Sequence, residues 1–164
     1  MATEQDLFNI AVAFINAFKT FEPGTHVSLR AANCTHVFAP SSVSQPPPMT
    51  NQDWIVHLSK LDSVLDSFPV TTKEIHINLP KRQAIIWATA IPKFRTEVKE
   101  PKKDGGDDTE WNEVGEYIFL LDMDEQGKIT RIVEFLDSLV TERVRKLMVK
   151  AWENAGVKQK LFEG

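Results

Sequence analysis

The stretch that decides the fold is Trp111–Leu139, WNEVGEYIFLLDMDEQGKITRIVEFLDSL. Its first half, Tyr117 to Met123, concentrates the aromatic and branched side chains that favour strands. Asp124-Glu125-Gln126-Gly127 supplies turn chemistry, with the glycine free to take positive φ. Ile129 to Leu136 then returns as a second strand. Alternation places Ile129, Arg131, Val133, Phe135 and Asp137 on one face and Thr130, Ile132, Glu134 and Leu136 on the other. Each face carries apolar residues and at least one charge. A strand wet on one side would separate the two kinds. Both faces are therefore expected to be covered, and Glu134 is the first charge that needs a reason.

Upstream, Gln83 to Phe94 contains AIIWATAI, apolar on both faces and expected to be central. It pairs across Pro80-Lys81 with Val70 to Leu79, where Ile75 and Ile77 alternate with Glu74, His76 and Asn78 in a half-exposed pattern. The polar segment Lys99 to Thr109, KEPKKDGGDDT, reads as a mobile loop. Downstream, Leu139 to Ala155 is a last amphipathic helix with Val140, Val144, Leu147, Met148, Ala151 and Trp152 on its apolar side. Nearer the N-terminus, Thr3 caps a helix carrying Leu7, Ile10, Ala11, Phe14, Ile15 and Phe18, ended by Pro23-Gly24. Thr25 to Ala32 is expected as a short second helix and Thr35 to Ala39 as a short strand. Ser41 to Thr50, SSVSQPPPMT, is a surface loop at a rim, because three consecutive prolines remove backbone donors. Asn51 is the expected cap of a third helix, with Trp54, Ile55, Leu58, Leu61 and Leu65 facing inward. Segregated helices and antiparallel strands define an α+β class. A strongly curved antiparallel sheet wrapped around the early helices would leave a cavity at its open mouth.

The 164 residues suit one domain, 1–164, with 42% hydrophobic and 26% charged residues. A net charge of -4 argues against nucleic acid and against a polybasic membrane surface. No apolar run approaches the roughly 20 residues of a membrane helix. The acidic start MATEQDLFNIAVAFINAF does not read as a secretory signal. A single cysteine, Cys34, cannot form an internal disulfide and has no oriented base. The expected compartment is the cytoplasm. No group of histidines and acids has metal-ligand spacing, so neither metal nor cofactor is expected. Phosphate-binding glycine loops and the Gly-x-Ser-x-Gly elbow are absent from the sequence.

The element order and the closing hairpin, where Gly127-Lys128-Ile129 leads to Glu134-Phe135-Leu136-Asp137, resemble the SnoaL-like branch of the nuclear transport factor 2-like superfamily. LRAANCTHVFAP, the proline loop and GEYIFLLDMDEQGKITRIVEFLDS further resemble small fungal proteins of that branch, some related to cofactor-free isomerases and cyclases of meroterpenoid and indole-alkaloid pathways. The resemblance implies a cone-shaped α+β barrel, a pocket between sheet and helices, and a homodimer through the sheet's outer face. That dimer would account for strands apolar on both sides. The Asp and two His of scytalone-dehydratase-like members, and the Arg-Asp-plus-Asp set of epoxide hydrolases of this fold, have no clear counterpart here. No particular reaction carries over.

Four residues are catalytic candidates. Glu134, among Ile132, Leu136 and aromatic side chains, is expected to have a raised pKa suited to proton transfer; the alternative is a structural acid paired with Arg131 or Arg95, or one at a dimer seam. Arg30, in an apolar segment, would orient a carbonyl or stabilise an enolate, or else pair structurally with Glu134. Tyr117, the only tyrosine, would bond a substrate oxygen, or else pack within its strand. Asp137 would be a base or, the favoured reading, a cap for the last helix. Candidate substrate contacts are His36, His57, Phe38, Trp54, Trp87 and Phe119, a set whose aromatic walls suit a flat apolar ligand; ordinary core packing is the alternative for each. The expected function is a cofactor-independent isomerase, cyclase or dehydratase acting on a hydrophobic, oxygenated small molecule. The alternative is a non-catalytic small-molecule binder or dimeric interaction module.

Overall fold

The computed structural model describes residues 2–99 and 109–157. In chain order the elements are α1 (Glu4–Ala17), α2 (Pro23–Val27), β1 (Arg30–Ala39), α3 (Asn51–Asp62), β2 (Leu65–Ser67), β3 (Val70–Asn78), β4 (Gln83–Ala90), β5 (Lys93–Phe94), β6 (Gly115–Met123), β7 (Ile129–Leu136) and α4 (Ser138–Asn154). Five strands form one sheet in the order β1-β7-β6-β4-β3, and β2 pairs with β5 in a separate ribbon. All pairings in the large sheet are antiparallel except β1 with β7. Register shifts in β1, in β3 between Thr72 and Glu74, and in β6 between Asp122 and Met123 break the ladders. Such bulges bend strands and increase twist. The sheet curves over the helices without closing, giving the cone-shaped α+β architecture.

The closing hairpin forms as its residues dictate. Asp124 Oδ1 accepts from the backbone N–H of Gln126 and Lys128, and Gly127 takes φ +80° to complete the turn. A side chain at Gly127 would also meet Ile10 of α1 at 2.7 Å. The inner sheet face carries Tyr117, Phe119 and Leu121 from β6 and Ile132, Glu134 and Leu136 from β7, all buried. Alanines at 84, 88 and 90 keep β4 low where α1 packs across the sheet. Phe14 of α1 and Phe18, its C-cap, meet Phe119 with ring centroids 5.3 and 5.7 Å apart. Truncating a ring in such a cluster, as in Phe14→Ala, costs roughly 3–5 kcal/mol through lost transfer energy and a residual cavity.

Several boundaries depart from the sequence reading. Pro23-Gly24 starts α2 with Glu22 as its N-cap, whereas α1 has already ended at Ala17. The expected helix over Thr25–Ala32 stops at Val27, because the chain extends from Arg30 to pair with β7. Tertiary pairing there overrides the helix propensity of Leu29-Arg30-Ala31-Ala32. Thr50, not Asn51, caps α3, through a reciprocal box with Asp53. The predicted strand Gln83–Phe94 divides into β4 and β5. The expected loop over 99–109 lies, apart from its ends, outside the described residues.

The outer face is bare in the isolated chain. Ile85, Trp87, Ile118 and Phe135 are between 36% and 48% exposed. Cross-strand register joins them, since Trp87 stands opposite Ile118 and Ile118 opposite Phe135.

Candidate active site

Parallel pairing of β1 with β7 sets His36 opposite Ile132 and Phe38 opposite Glu134. His36, Phe38, Ile132 and Glu134 therefore share the inner face. Met49 holds this part of β1 from its other edge, exchanging both backbone hydrogen bonds with His36 at 2.9 and 2.8 Å. The outcome is a buried chain of three polar side chains. Arg30 Nη2 lies 3.2 Å from His36 Nδ1, and His36 Nε2 lies 2.9 Å from Glu134 Oε2.

The chemistry of arginine fixes the proton positions. A guanidinium only donates, so Nδ1 of His36 accepts and the ring hydrogen of the neutral imidazole sits on Nε2. That N–H donates to Glu134 Oε2. Complete burial, then the Arg30 charge, hold the His36 pKa well below its ordinary value. The contact has the spacing of an ion pair, but the neutral imidazole makes it a hydrogen bond. Burial pushes the Glu134 carboxyl up to about 8, against the opposing pull of Arg30. At neutral pH Glu134 is thus mainly a carboxylic acid, oriented through one oxygen. Its Oε1 makes no hydrogen bond among the described residues.

Trp54 of α3 is the platform under this chain. The Arg30 guanidinium lies 4.6 Å above its ring, and His36 stacks on it at 4.2 Å. His57, one turn along α3, stacks on Trp54 at 5.2 Å, and Phe38 stacks on His36 at 4.9 Å. Burial lowers the His57 pKa to about 4, so this imidazole is neutral as well.

Glu134 opens onto a cavity of about 110 Å³. Its sheet wall comprises Tyr117, Glu134 and Leu136; α3 adds Trp54, His57 and Leu61. α4 supplies Thr141, Val144, Arg145 and Met148, and the proline loop supplies Gln45 and Pro46. Tyr117 pairs with Leu136, and Glu134 with Phe119, so Tyr117 and Glu134 are diagonal neighbours on adjacent strands. Such positions lie roughly 7–8 Å apart, close enough to act on one ligand. Burial, then the negative charges of Glu134 and Asp137, raise the Tyr117 phenol far above its ordinary pKa. It remains a hydrogen-bond donor at any physiological pH.

Of the ten residues expected from sequence, Glu134, Tyr117, Phe38, Trp54 and His57 border this cavity. Arg30 and His36 stand behind Glu134 and do not line it, so the expected direct contact of Arg30 with substrate is replaced by a link through His36. Arg30 makes no direct bond to Glu134; Arg131 pairs with Asp122, and Arg95 with Asp62. Asp137 caps α4, accepting from Val140 N–H at 3.1 Å. Phe119 is core beneath the pocket, between Phe14, Phe18 and Tyr117. Trp87 does not border this cavity: it lies on the outer face, donating to Glu116 at 3.1 Å under the Lys73 ammonium. β4 is apolar on both faces, so alternation could not tell which side Trp87 took. Sequence reasoning missed Gln45, Thr141 and Arg145. Thr141 and Arg145 sit four apart on the first turns of α4, a spacing that puts them on one helix face. Among the described residues, no three of His, Cys, Asp or Glu gather as metal ligands.

No family model matches the chain, and none of the curated proteins does. Solved structures match throughout. AusH from Aspergillus nidulans is 21% identical, with 84% of this chain and 88% of that one covered at a TM-score of 0.67. The BvnE pinacolase from Penicillium brevicompactum is 17% identical over 90% and 96% of the two chains, TM-score 0.74. TerC, co-crystallised with polyporic acid, is 12% identical over 88% and 98%, TM-score 0.62. The chain therefore shares the cone-shaped α+β fold of these structures. At these identities the likeness establishes the fold alone.

Proposed function

We propose that this protein is a cofactor-independent isomerase, cyclase or dehydratase that acts on a hydrophobic, oxygenated small molecule in fungal secondary metabolism. One observation carries the reading: a buried carboxyl, raised to about 8 and oriented by His36 and Arg30, faces an otherwise mainly apolar cavity beside a phenol. Glu134 donates a proton to a substrate oxygen and takes one back as product forms, so its protonation is restored over the cycle. Tyr117, whose hydroxyl lies over Gly115 on the side away from Glu134, donates a hydrogen bond to another substrate oxygen as charge develops there. His36 and Arg30 hold Glu134 in place. The names of the structural neighbours, a pinacolase and a protein bound to polyporic acid, support a small-molecule pocket.

The same proposal includes a homodimer through the outer face of the sheet. Its support is the contiguous apolar patch of Ile85, Trp87, Ile118 and Phe135 across three adjacent strands. Covering it twice about a twofold axis fits a standard interface of roughly 1,600 Å². A cytoplasmic location completes the proposal, in keeping with the lone, buried, unpaired thiol of Cys34.

The test compares metabolites of the source organism with those of a strain lacking the gene, then incubates the accumulated compound with purified protein. Conversion without added metal or cofactor is the expected result. Binding without conversion would replace the enzyme with a carrier.

A further inference from the structure

Glu134 enters the reaction as an acid, so a substrate that gains its proton must lose another to a base. Most polar side chains along the cavity cannot take one. Arg145 is a guanidinium and only donates, and Tyr117 keeps its proton. The hydroxyl, amide and indole of Thr141, Gln45 and Trp54 are not bases near neutral pH. His57 remains. It projects from α3 one turn after Trp54, lines the cavity and is half-buried. Neither of its ring nitrogens has a hydrogen-bond partner among the described residues, and neither is sealed from water. Packing alone fixes the ring, which stacks on Trp54 at 5.2 Å and leans on Phe38 at 5.8 Å. His36 stacks on the same two rings, at 4.2 and 4.9 Å, and holds Glu134 through its Nε2. The unpartnered imidazole and the oriented carboxyl thus belong to one cluster of rings beside one cavity.

We propose that His57 is the catalytic base that works with Glu134, and that the substrate is an apolar ketone with a C–H bond beside its carbonyl. The proposal rests on the acid/base reading of Glu134 and narrows its substrate class. As the C–H bond breaks, the proton goes to a His57 nitrogen and the electron pair becomes the C=C bond of an enol. The carbonyl π pair meanwhile takes the Glu134 proton onto oxygen. In the return step the enol O–H gives its proton back to Glu134, and His57 protonates carbon at the original or a conjugated position. Both groups end as they began. Between the two steps the cavity holds a carboxylate and an imidazolium, whose attraction in a poorly hydrated site offsets the cost of burying each charge. This order of events needs a neutral imidazole at the start, and burial supplies it by lowering the His57 pKa to about 4.

Hydrogen exchange at carbon tests this, with 2-tetralone in D2O as the probe and proton NMR as the readout. The wild-type protein is expected to bind the ketone, measured by calorimetry, and to speed its exchange above the rate in buffer. His57→Asn keeps hydrogen-bonding capacity but takes up no proton near neutral pH. His57→Phe keeps a ring against Trp54 and has no nitrogen. Each should lower the catalysed rate by about 10² to 10⁴-fold. Neither variant breaks a hydrogen bond within the described residues, so melting temperatures should change little. A loss of less than about tenfold in either His57 variant, beside a slow Glu134→Gln, overturns the base and leaves the acid standing. Slow His57 variants beside a fully active Glu134→Gln keep the base and overturn the acid. A wild-type protein that does not accelerate exchange, whether or not the ketone binds, overturns the acid/base reading and the role of His57 with it.

Discussion

On the outer face of β6 and β7, Glu116 bonds Lys73 and the Trp87 indole, and Asp122 bonds Arg131, all within reach of water. On the inner face of the same two strands, the single acid, Glu134, is 5% exposed and reaches its nearest cation only through an imidazole. The outer acids are paired directly, and Glu116 is correspondingly held below its ordinary pKa. The inner acid is raised by burial, which outweighs the opposing pull of the Arg30 charge beyond the imidazole. A direct Arg30–Glu134 pair would have pinned the carboxylate as an anion. Inserting His36 keeps the carboxyl oriented while leaving it able to give up or accept a proton near neutral pH. Surface pairing is thus compatible with solubility and little else, whereas the inner arrangement makes an acid/base group.

The sharpest way to break this contrast is to neutralise one acid from each face. Glu134→Gln retains the amide oxygen for His36 Nε2–H and should preserve the fold, while turnover of the native substrate falls by about 10² to 10⁴-fold. Glu116→Gln should leave turnover within experimental error. Comparable losses in both would assign them to a general electrostatic effect rather than to proton transfer.

The outer face is tested by assembly. Phe135→Glu puts a charge at the centre of the apolar patch, and desolvating it in an interface is costly. Sedimentation at micromolar concentration should show wild-type dimer and variant monomer with unchanged secondary structure. A monomeric wild type would remove the dimer from the proposal.

The acid on the inner strand face was legible because alternation set Glu134 with Ile132 and Leu136. Its partners were not. His36 is 98 residues away in sequence, and the segment before it looks helical until β7 is present to pair with β1. Parallel pairing of remote strands leaves no local periodic signal, so His36 and Arg30 could be listed as candidates but not assembled into a chain. The proline loop was legible as a rim, and it does border the cavity through Gln45 and Pro46. Composition could not say which of its side chains turn inward, because that follows from contacts with α4.

Stability against pH sharpens the same contrast. In the folded protein Glu134 keeps its proton up to about 8, whereas the unfolded chain loses it near the ordinary glutamate value of 4.5. Between those limits the native state binds more protons, so the contribution of Glu134 to stability falls as pH rises. His57 acts with the opposite sign: its native pKa of about 4, against 6.5 unfolded, adds stability as pH rises through that interval. His36 shifts in the same direction. The histidine gain fades as pH rises past 6.5, whereas the decline due to Glu134 continues to about 8. Measured as the melting temperature of wild type minus that of Glu134→Gln, the difference should be constant below pH 4.5 and fall steadily to pH 8. A flat difference across the range would mean that Glu134 titrates like a surface acid.

The smallest expected effect separates a donor from a wall. The Tyr117 hydroxyl makes no hydrogen bond among the described residues, while its ring stacks on Phe119 at 6.1 Å and meets Phe68 edge-on at 6.1 Å. The hydroxyl also lies where a side chain at Gly115 would stand, 2.9 Å from an added Cβ. Its position is therefore set by packing, not by a partner within the protein. Tyr117→Phe keeps both ring contacts and orphans nothing, so the melting temperature should not fall. If the phenol supports charge on a substrate oxygen, turnover should drop about tenfold, the value of roughly 1.4 kcal/mol of transition-state stabilisation. The KM should change less than kcat, because the bond strengthens as charge develops. A rise in KM alone would make Tyr117 a binding contact. No change in either constant would leave it as pocket wall, with proton transfer resting on Glu134 and His57.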